Sequence, residues 1–399
     1  MKRRDFLQAC AALSSLPFFA GLAGCEGDGR GEYWDIDVRF TGKVIVIGAG
    51  AAGLAAGYLL ARHGIDFEIL EAAPQMGGRV RRLDDFADFP IDLGAEWIHS
   101  DPAVLSRLID DSQVNGSVDV VPYSPQSIEA FHNGRRRSYN FGGKYYSEFK
   151  FKRTTWYGFL ETFIAPDVLP FLQLDTPVVS VDRSGDRIVV TDARGARREA
   201  DRVVVTTPLK VLQDDLIDFI PSLPAAKTNA IHAVTIPNGL KAFFVFDQRF
   251  YPDLLVMGDP LEDASYNKLF FDGAFRKQAD THLLSFFCVG RPADAYADLD
   301  DDAIIDTLIG ELDEAFDGAA TRHLVRARVQ NWSAEPYVRG AYSNRWAGGF
   351  ERILRNLRKP VDGALYWAGE AMSSSDTATV HGAMQSAYEA VVDLLETPD

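Results

Sequence analysis

Lys43-Val44-Ile45-Val46-Ile47-Gly48-Ala49-Gly50-Ala51-Ala52-Gly53-Leu54 decides the fold of this 399-residue chain. Val44 to Ile47 are β-branched without interruption, the composition of a parallel strand buried on both faces. Three glycines follow in G-x-G-x-x-G spacing, and Ala55 to Arg62 reads as a helix. Gly48 permits the tight turn, Gly50 lets backbone approach a pyrophosphate, and Gly53 lets the helix pack closely on the strand. The helix N-terminus then meets the phosphate charge with unsatisfied N–H groups and a favourable dipole. A second strand, Phe67 to Leu70, ends in Glu71, placed to accept hydrogen bonds from a ribose. Strand, helix, strand and acid in this order predict a dinucleotide site.

Further motifs narrow the cofactor. Gly77-Gly78-Arg79-Val80 suits a loop whose backbone and guanidinium close over a ligand. Ile91-Asp92-Leu93-Gly94-Ala95-Glu96-Trp97 follows, and Leu365-Tyr366-Trp367-Ala368-Gly369-Glu370 reads as a short buried strand ending in a carboxylate. Thr379-Val380-His381-Gly382 then opens a helix. In this order the pieces resemble the flavin-dependent amine oxidases: monoamine oxidase, polyamine oxidase and the flavin histone demethylases. The resemblance covers most of residues 42–100, 176–212, 236–252 and 329–395. It implies an α/β chain, with a discontinuous Rossmann-like FAD-binding domain (42–100, 176–212 and 329–399). A second, α+β substrate domain on a mixed sheet takes 101–175 and 213–328. FAD is the implied cofactor, held by Gly48, Gly50, Ala52, Gly53, Glu71, Gly78, Arg79, Gly369, Glu370 and Val380, with a backbone contact to adenine near Val179. Some family members bind FAD through a cysteine at the position of Ala341, so here the flavin is expected to be non-covalent.

The middle of the chain supplies the remaining elements. Pro177–Asp182 and Arg187–Thr191 read as strands around a Ser184-Gly185 turn, and Asp201–Leu209 as a buried strand stopped by Pro208. Strands are expected at Lys241–Phe246, Lys268–Asp272 and His282–Val289, and a helix over Asp301–Phe316 with Ile304, Ile305, Leu308 and Leu312 on one face. Arg135-Arg136-Arg137 after Asn133-Gly134 reads as an exposed turn, not an anion site.

Lys241 is the residue singled out for chemistry. Both faces of Gly239–Asp247 are apolar around it, and a buried ammonium there must be paired or neutralised. The alternative is a strand-end lysine whose head reaches solvent. The resemblance implies that Lys241 holds a water against flavin N5. It also places Trp332 beside the flavin, or simply in the core, and makes Tyr342 one wall of an aromatic cage for the substrate nitrogen. Thr379 stands where a second cage tyrosine is usual, and His381 reads as a structural residue at a helix start rather than a base. The segment between residues 100 and 176 is short for the family. The pocket is therefore expected to be wide, or capped by the aromatic run Phe149–Ile164.

At the N-terminus, Lys2-Arg3-Arg4-Asp5-Phe6-Leu7 and the apolar stretch to Ala23 resemble a twin-arginine export signal. Leu22-Ala23-Gly24-Cys25 resembles a lipoprotein cleavage box, with residues 25–41 as a flexible tether. These imply a periplasmic enzyme anchored to membrane by lipid on Cys25 alone. Loss of residues 1–24 takes the formal charge from −16 to −18, which argues against nucleic acid as a partner. With Cys10, Cys25 and Cys288 the only cysteines, neither a disulfide nor a metal site is expected.

The expected reaction is oxidation of a small-molecule amine: hydride passes from the α-carbon to flavin N5 and the imine hydrolyses. Oxygen, a cytochrome or a quinone then takes the electrons. Two alternatives stand beside it: an FAD-dependent desaturase or dehydrogenase of an apolar substrate, and a non-catalytic flavoprotein.

Overall fold

The computed structural model describes residues 33–139, 148–259 and 268–398. Residues 1–32, with the proposed signal, Cys25 and most of the tether, lie outside them.

Lys43–Ile47 is the central strand of a five-stranded parallel sheet. The order is Leu172–Gln173, Asp66–Leu70, Lys43–Ile47, Arg202–Val205, Leu365–Trp367. Alternation explains why the strand carries no polar face. Val44 and Val46 join Val204, Tyr366 and the helices Ala51–Arg62 and Val380–Glu396 on one side. Ile45 and Ile47 join Val203, Trp367 and the helices Ala225–His232 and Phe350–Arg358 on the other. Each face of the sheet is thus covered by helices, as a parallel sheet requires. The first helix begins at Ala51 rather than Ala55, so Gly53 lies inside it. The strand expected over Asp201–Leu209 is limited to Arg202–Val205, and Pro208 precedes a short helix, Leu209–Gln213.

The second body is built on a seven-stranded sheet. Its order is Leu324–Asn331, Gly239–Phe246, His282–Val289, Lys268–Asp272, Leu254–Met257, Ile128–His132, Arg135–Tyr139. All neighbours are antiparallel except Leu254–Met257 with Ile128–His132, so the sheet is mixed. Leu240, Ala242, Phe244 and Phe246 face the helix Asp301–Phe316, which is capped by the Asp300 carboxylate on the Ala303 N–H. The alternate residues Phe243 and Val245 pack with Ile91, Leu93 and Trp332. Lys241 shares their face.

Three further expectations are corrected. Arg135–Arg137 form an exposed edge strand, not a turn; the turn is Asn133-Gly134, and the charges keep the open edge solvated. Phe149–Ile164 does not cap a pocket. Phe151, Trp156, Phe159, Leu160 and Ile164 are buried in the core around the nucleotide sheet. The Thr155 hydroxyl caps the helix Trp156–Phe163 there, and an aromatic run this apolar gains more from that core than from a solvent-facing roof. Residues 101–175 divide between the bodies: Ile128–Tyr139 joins the seven-stranded sheet, whereas Ala103–Ile109 and Leu172–Gln173 pack with the nucleotide sheet.

Candidate active site

A single cavity of about 560 Å³ runs between the two bodies, within the range of about 300–1,000 Å³ usual for ligand sites. Gly48, Gly50, Ala52, Glu71, Gly78, Arg79, Val179, Lys241, Trp332, Tyr342, Gly369, Glu370, Thr379 and Val380 all line it. Gly53 does not. A Cβ there would come 1.9 Å from the Gly48 carbonyl oxygen, so its service is close packing of helix on turn.

At the nucleotide end, Gly48 has φ +102°, a conformation side chains rarely adopt. Gly50 is extended at the start of its helix, no side chain caps the first turn, and Gly50, Ala51 and Ala52 line the cavity. A Cβ on Gly78 would lie 3.3 Å from the Gly50 Cα, which is how closely the two glycine loops approach. The Glu71 carboxylate accepts from the Ala49 N–H at 2.6 Å and the Ala73 N–H at 2.8 Å. Burial raises its pKa, against the pull of those N–H groups. Each oxygen keeps a lone pair for a further donor such as a ribose hydroxyl. The strand register steps from Val178 to Ser180, so Val179 sits in a bulge beside the cavity, off the ladder. Thr207, which the sequence did not single out, lines the same region with a buried hydroxyl that has no partner within the protein. An orphaned hydroxyl, free helix N–H groups and a buried carboxylate fit the phosphates and hydroxyls of a dinucleotide.

In the middle, Arg79 donates to the Ala341 carbonyl at 2.7 Å and to Glu370 Oε1 at 3.0 Å. Glu370 also accepts from the Ser343 hydroxyl at 2.5 Å. Trp332 is buried and donates its indole N–H to the Leu93 carbonyl at 3.3 Å, so it is at once core and cavity wall. Ala341 offers no nucleophile, and Cys288, the single cysteine among the described residues, is buried and does not line the cavity.

At the far end the wall is aromatic: Trp97, Tyr123, Phe271, Phe287 and Tyr342. Lys241 Nζ donates to Asp92 O and Glu96 Oε2, both at 2.8 Å, and to Gly94 O at 3.1 Å. Burial works against ionisation of Glu96, but Lys150 and Lys241 hold its pKa down at about 2. Lys241 is therefore paired, as a buried ammonium must be, and it does not reach solvent. All three of its hydrogens are taken by protein, so holding a water would require one of these bonds to be exchanged. Burial raises the Tyr342 phenol pKa well above its ordinary value. The Thr379 hydroxyl is committed to the helix start, accepting from the Gly382 N–H at 3.0 Å and donating to the Asp376 carbonyl at 2.8 Å. His381 is fully buried behind it, 3.4 Å from Asp376, and does not line the cavity. His99 and Glu148, also unforeseen, form a pair at 3.0 Å on the wall. Among the described residues no cluster of His, Cys, Asp or Glu is arranged to hold a metal.

The family model for flavin containing amine oxidoreductases matches residues 169–395. The chain belongs to this family. A model for an NAD(P)-binding Rossmann-like domain matches residues 46–112, which contain the glycine fingerprint. The chain is 25% identical to polyamine oxidase 3 of Oryza sativa subsp. japonica over 87% of both sequences. It is 24% identical to lysine-specific histone demethylase 2 of Homo sapiens, over 86% of this chain and 52% of that protein. Among solved structures, a triple mutant of putrescine oxidase superposes with a TM-score of 0.72 at 16% identity, covering 89% of this chain and 98% of that one. This flavin amine oxidase therefore uses FAD to oxidise amines, on the fold expected from its sequence.

Proposed function

We propose that this amine oxidase takes an alkyl amine with more than one nitrogen, and oxidises the carbon next to the nitrogen that reaches Lys241 and Tyr342. One observation carries the reading: the nucleotide motif, Arg79–Glu370 and the Lys241–Tyr342–Thr379 end all line a single cavity. Bound FAD supplies the hydride acceptor. Backbone N–H groups at the helix start would hold its pyrophosphate and Glu71 a ribose, while Trp332 and the Arg79–Glu370 pair would border the flavin. Tyr342 with Trp97 and Phe271 would exclude water and orient the neutral amine nitrogen for transfer, and the imine hydrolyses after release. The Glu148 carboxylate beside His99 is suited to a second, distant ammonium, in line with the names polyamine oxidase and putrescine oxidase carried by relatives.

The test is anaerobic. Purified FAD-loaded protein is mixed with primary amines, secondary amines and polyamines while the visible flavin band is followed. Bleaching by polyamines at lower concentration than by monoamines is the expected result. A band that no amine bleaches would move the reading to an apolar donor. Peroxide yield per amine oxidised in air separates oxygen from a cytochrome or quinone acceptor. We also propose an extracytoplasmic, lipid-anchored location, on the sequence of residues 2–7 and 22–25 alone. A fatty-acyl mass on Cys25 checks it.

A further inference from the structure

Lys241 stands in the strand Gly239–Phe246 with 2% of its surface exposed. Asp92 O, Gly94 O and Glu96 Oε2 surround its Nζ within 3.1 Å. An ammonium has three hydrogens and no lone pair, so three acceptors complete its tetrahedron. A neutral amine has two hydrogens, and its lone pair would face one of these oxygens. The acceptor set selects the charged form.

A second lysine aims the carboxylate. Lys150, also 2% exposed, lies 2.6 Å from Glu96 Oε1, while Oε2 faces Lys241. The Lys150 ammonium sits 5.1 Å from the ring centre of Phe271, 5.4 Å from Tyr123 and 5.7 Å from Trp97. With one oxygen on each lysine, Glu96 cannot turn without leaving a buried charge unpaired.

We propose that Glu96, held by Lys150, is a positioning residue that keeps Lys241 a permanent ammonium in the wall of the FAD cavity, a fixed charge and not a titrating base. The other groups facing this cluster do not replace Glu96. Burial and the Glu96 charge push the pKa of Asp92, on the strand Ile91–Asp92, upwards, towards its neutral form. Lys277, following the strand Lys268–Asp272, is drawn down to about 8 by burial and by Lys150. It borders, with Asp92, Glu96, Lys150 and Ser285, a second cavity of about 10 Å³, room for about one water. Asp272 points to the opposite face of its strand from Phe271 and is paired with Arg249 at 2.9 Å. Across the sheet from Lys241 stand Gln330 and Phe287, both uncharged. The inference rests on FAD binding and not on which amine is oxidised.

The experiment measures the two-electron reduction potential of bound FAD in the full chain, by dye equilibration without substrate. It compares wild type with Lys241→Met between about pH 6 and about pH 10, which brackets a lysine drawn down by burial. A permanent ammonium keeps wild type above the variant by the same gap at every pH. The gap should reach at least a tenfold change in the reduction constant, or ~30 mV. In the charge-balanced background Glu96→Gln/Lys150→Met, the same gap should close as pH rises. A wild-type gap that closes with pH, no gap at any pH, or a background that behaves like wild type would each overturn the proposal. If Lys241→Met loses its fold, the Lys241 ζ-nitrogen resonance of ¹⁵N-lysine-labelled wild type, assigned by its loss in Lys241→Arg, decides instead: no titration of that resonance supports the proposal and its titration refutes it. An FAD that no amine reduces leaves both measurements intact.

Discussion

Replacing Glu71 by alanine should weaken FAD binding more than it weakens the fold. The carboxylate satisfies two backbone donors, the N–H groups of Ala49 and Ala73, at 2.6 and 2.8 Å. In the apoprotein of the variant, water entering the cavity can satisfy both. Once the dinucleotide fills that end, water is excluded and the two donors are left buried without partners. Each such donor costs about 1–3 kcal/mol, so the penalty on binding is about 2–6 kcal/mol before any lost ribose bond is counted. At 1.4 kcal/mol per tenfold, the dissociation constant should rise by about 30-fold or more. Glu71→Gln keeps one acceptor and should fall near half that free energy. The assay is titration of deflavinated protein with FAD, followed by flavin fluorescence quenching, with a thermal melt of the apoprotein alongside. A dissociation constant within threefold of wild type would refute the reasoning, because it would mean that neither donor depends on Glu71 in the filled site.

Further outcomes are expected elsewhere. Gly53→Ala puts a Cβ 1.9 Å from the Gly48 oxygen, an overpacking of backbone that should cost about 1–3 kcal/mol or more; a lowered melting temperature with lost FAD checks it. Lys241→Met should slow amine-dependent flavin bleaching at least tenfold while FAD stays bound, as rapid mixing and the protein-to-flavin ratio will show. Lys227 is buried over the Trp367 ring and donates to the Leu357 and Lys359 carbonyls, and burial draws it down to about 7. The folded state then binds fewer protons than the unfolded chain between that value and the ordinary lysine value, so wild-type stability should rise with pH across that window. Denaturant melts of Lys227→Met should show this part of the slope removed.

Local signals were the legible ones. The run Val44–Ile47, the glycine spacing and Glu71 describe one contiguous supersecondary unit, and each takes the position its chemistry demanded. The helix Asp301–Phe316 and the strands Lys268–Asp272 and His282–Val289 have the bounds their periodicity implied, because amphipathic alternation is itself a record of burial. Lys241 was recognisable since an ammonium in an all-apolar strand has no local explanation. Its partners were not. Glu96 and Lys150 come from a loop and from the middle strand, Phe149–Phe151, of a three-stranded sheet, both far away in sequence, and nothing in either neighbourhood encodes their meeting. The fate of Phe149–Ile164 was lost for the same reason: an aromatic run states that it will be buried, not against which core.

The nucleotide sheet gathers strands from residues 43–70, 172–173, 202–205 and 365–367, and its first helix, Ala51–Arg62, is covered by the last, Val380–Glu396. For a chain made from its N-terminus this sets a timetable. At about 5–20 residues per second, roughly 15–65 s separate the emergence of the two helices. Through that interval the glycine turn has neither its outer strand nor the Glu370 wall, so flavin capture belongs to the end of synthesis. Yellow colour therefore reports a finished polypeptide, and any product of premature termination upstream of Val380 should be colourless.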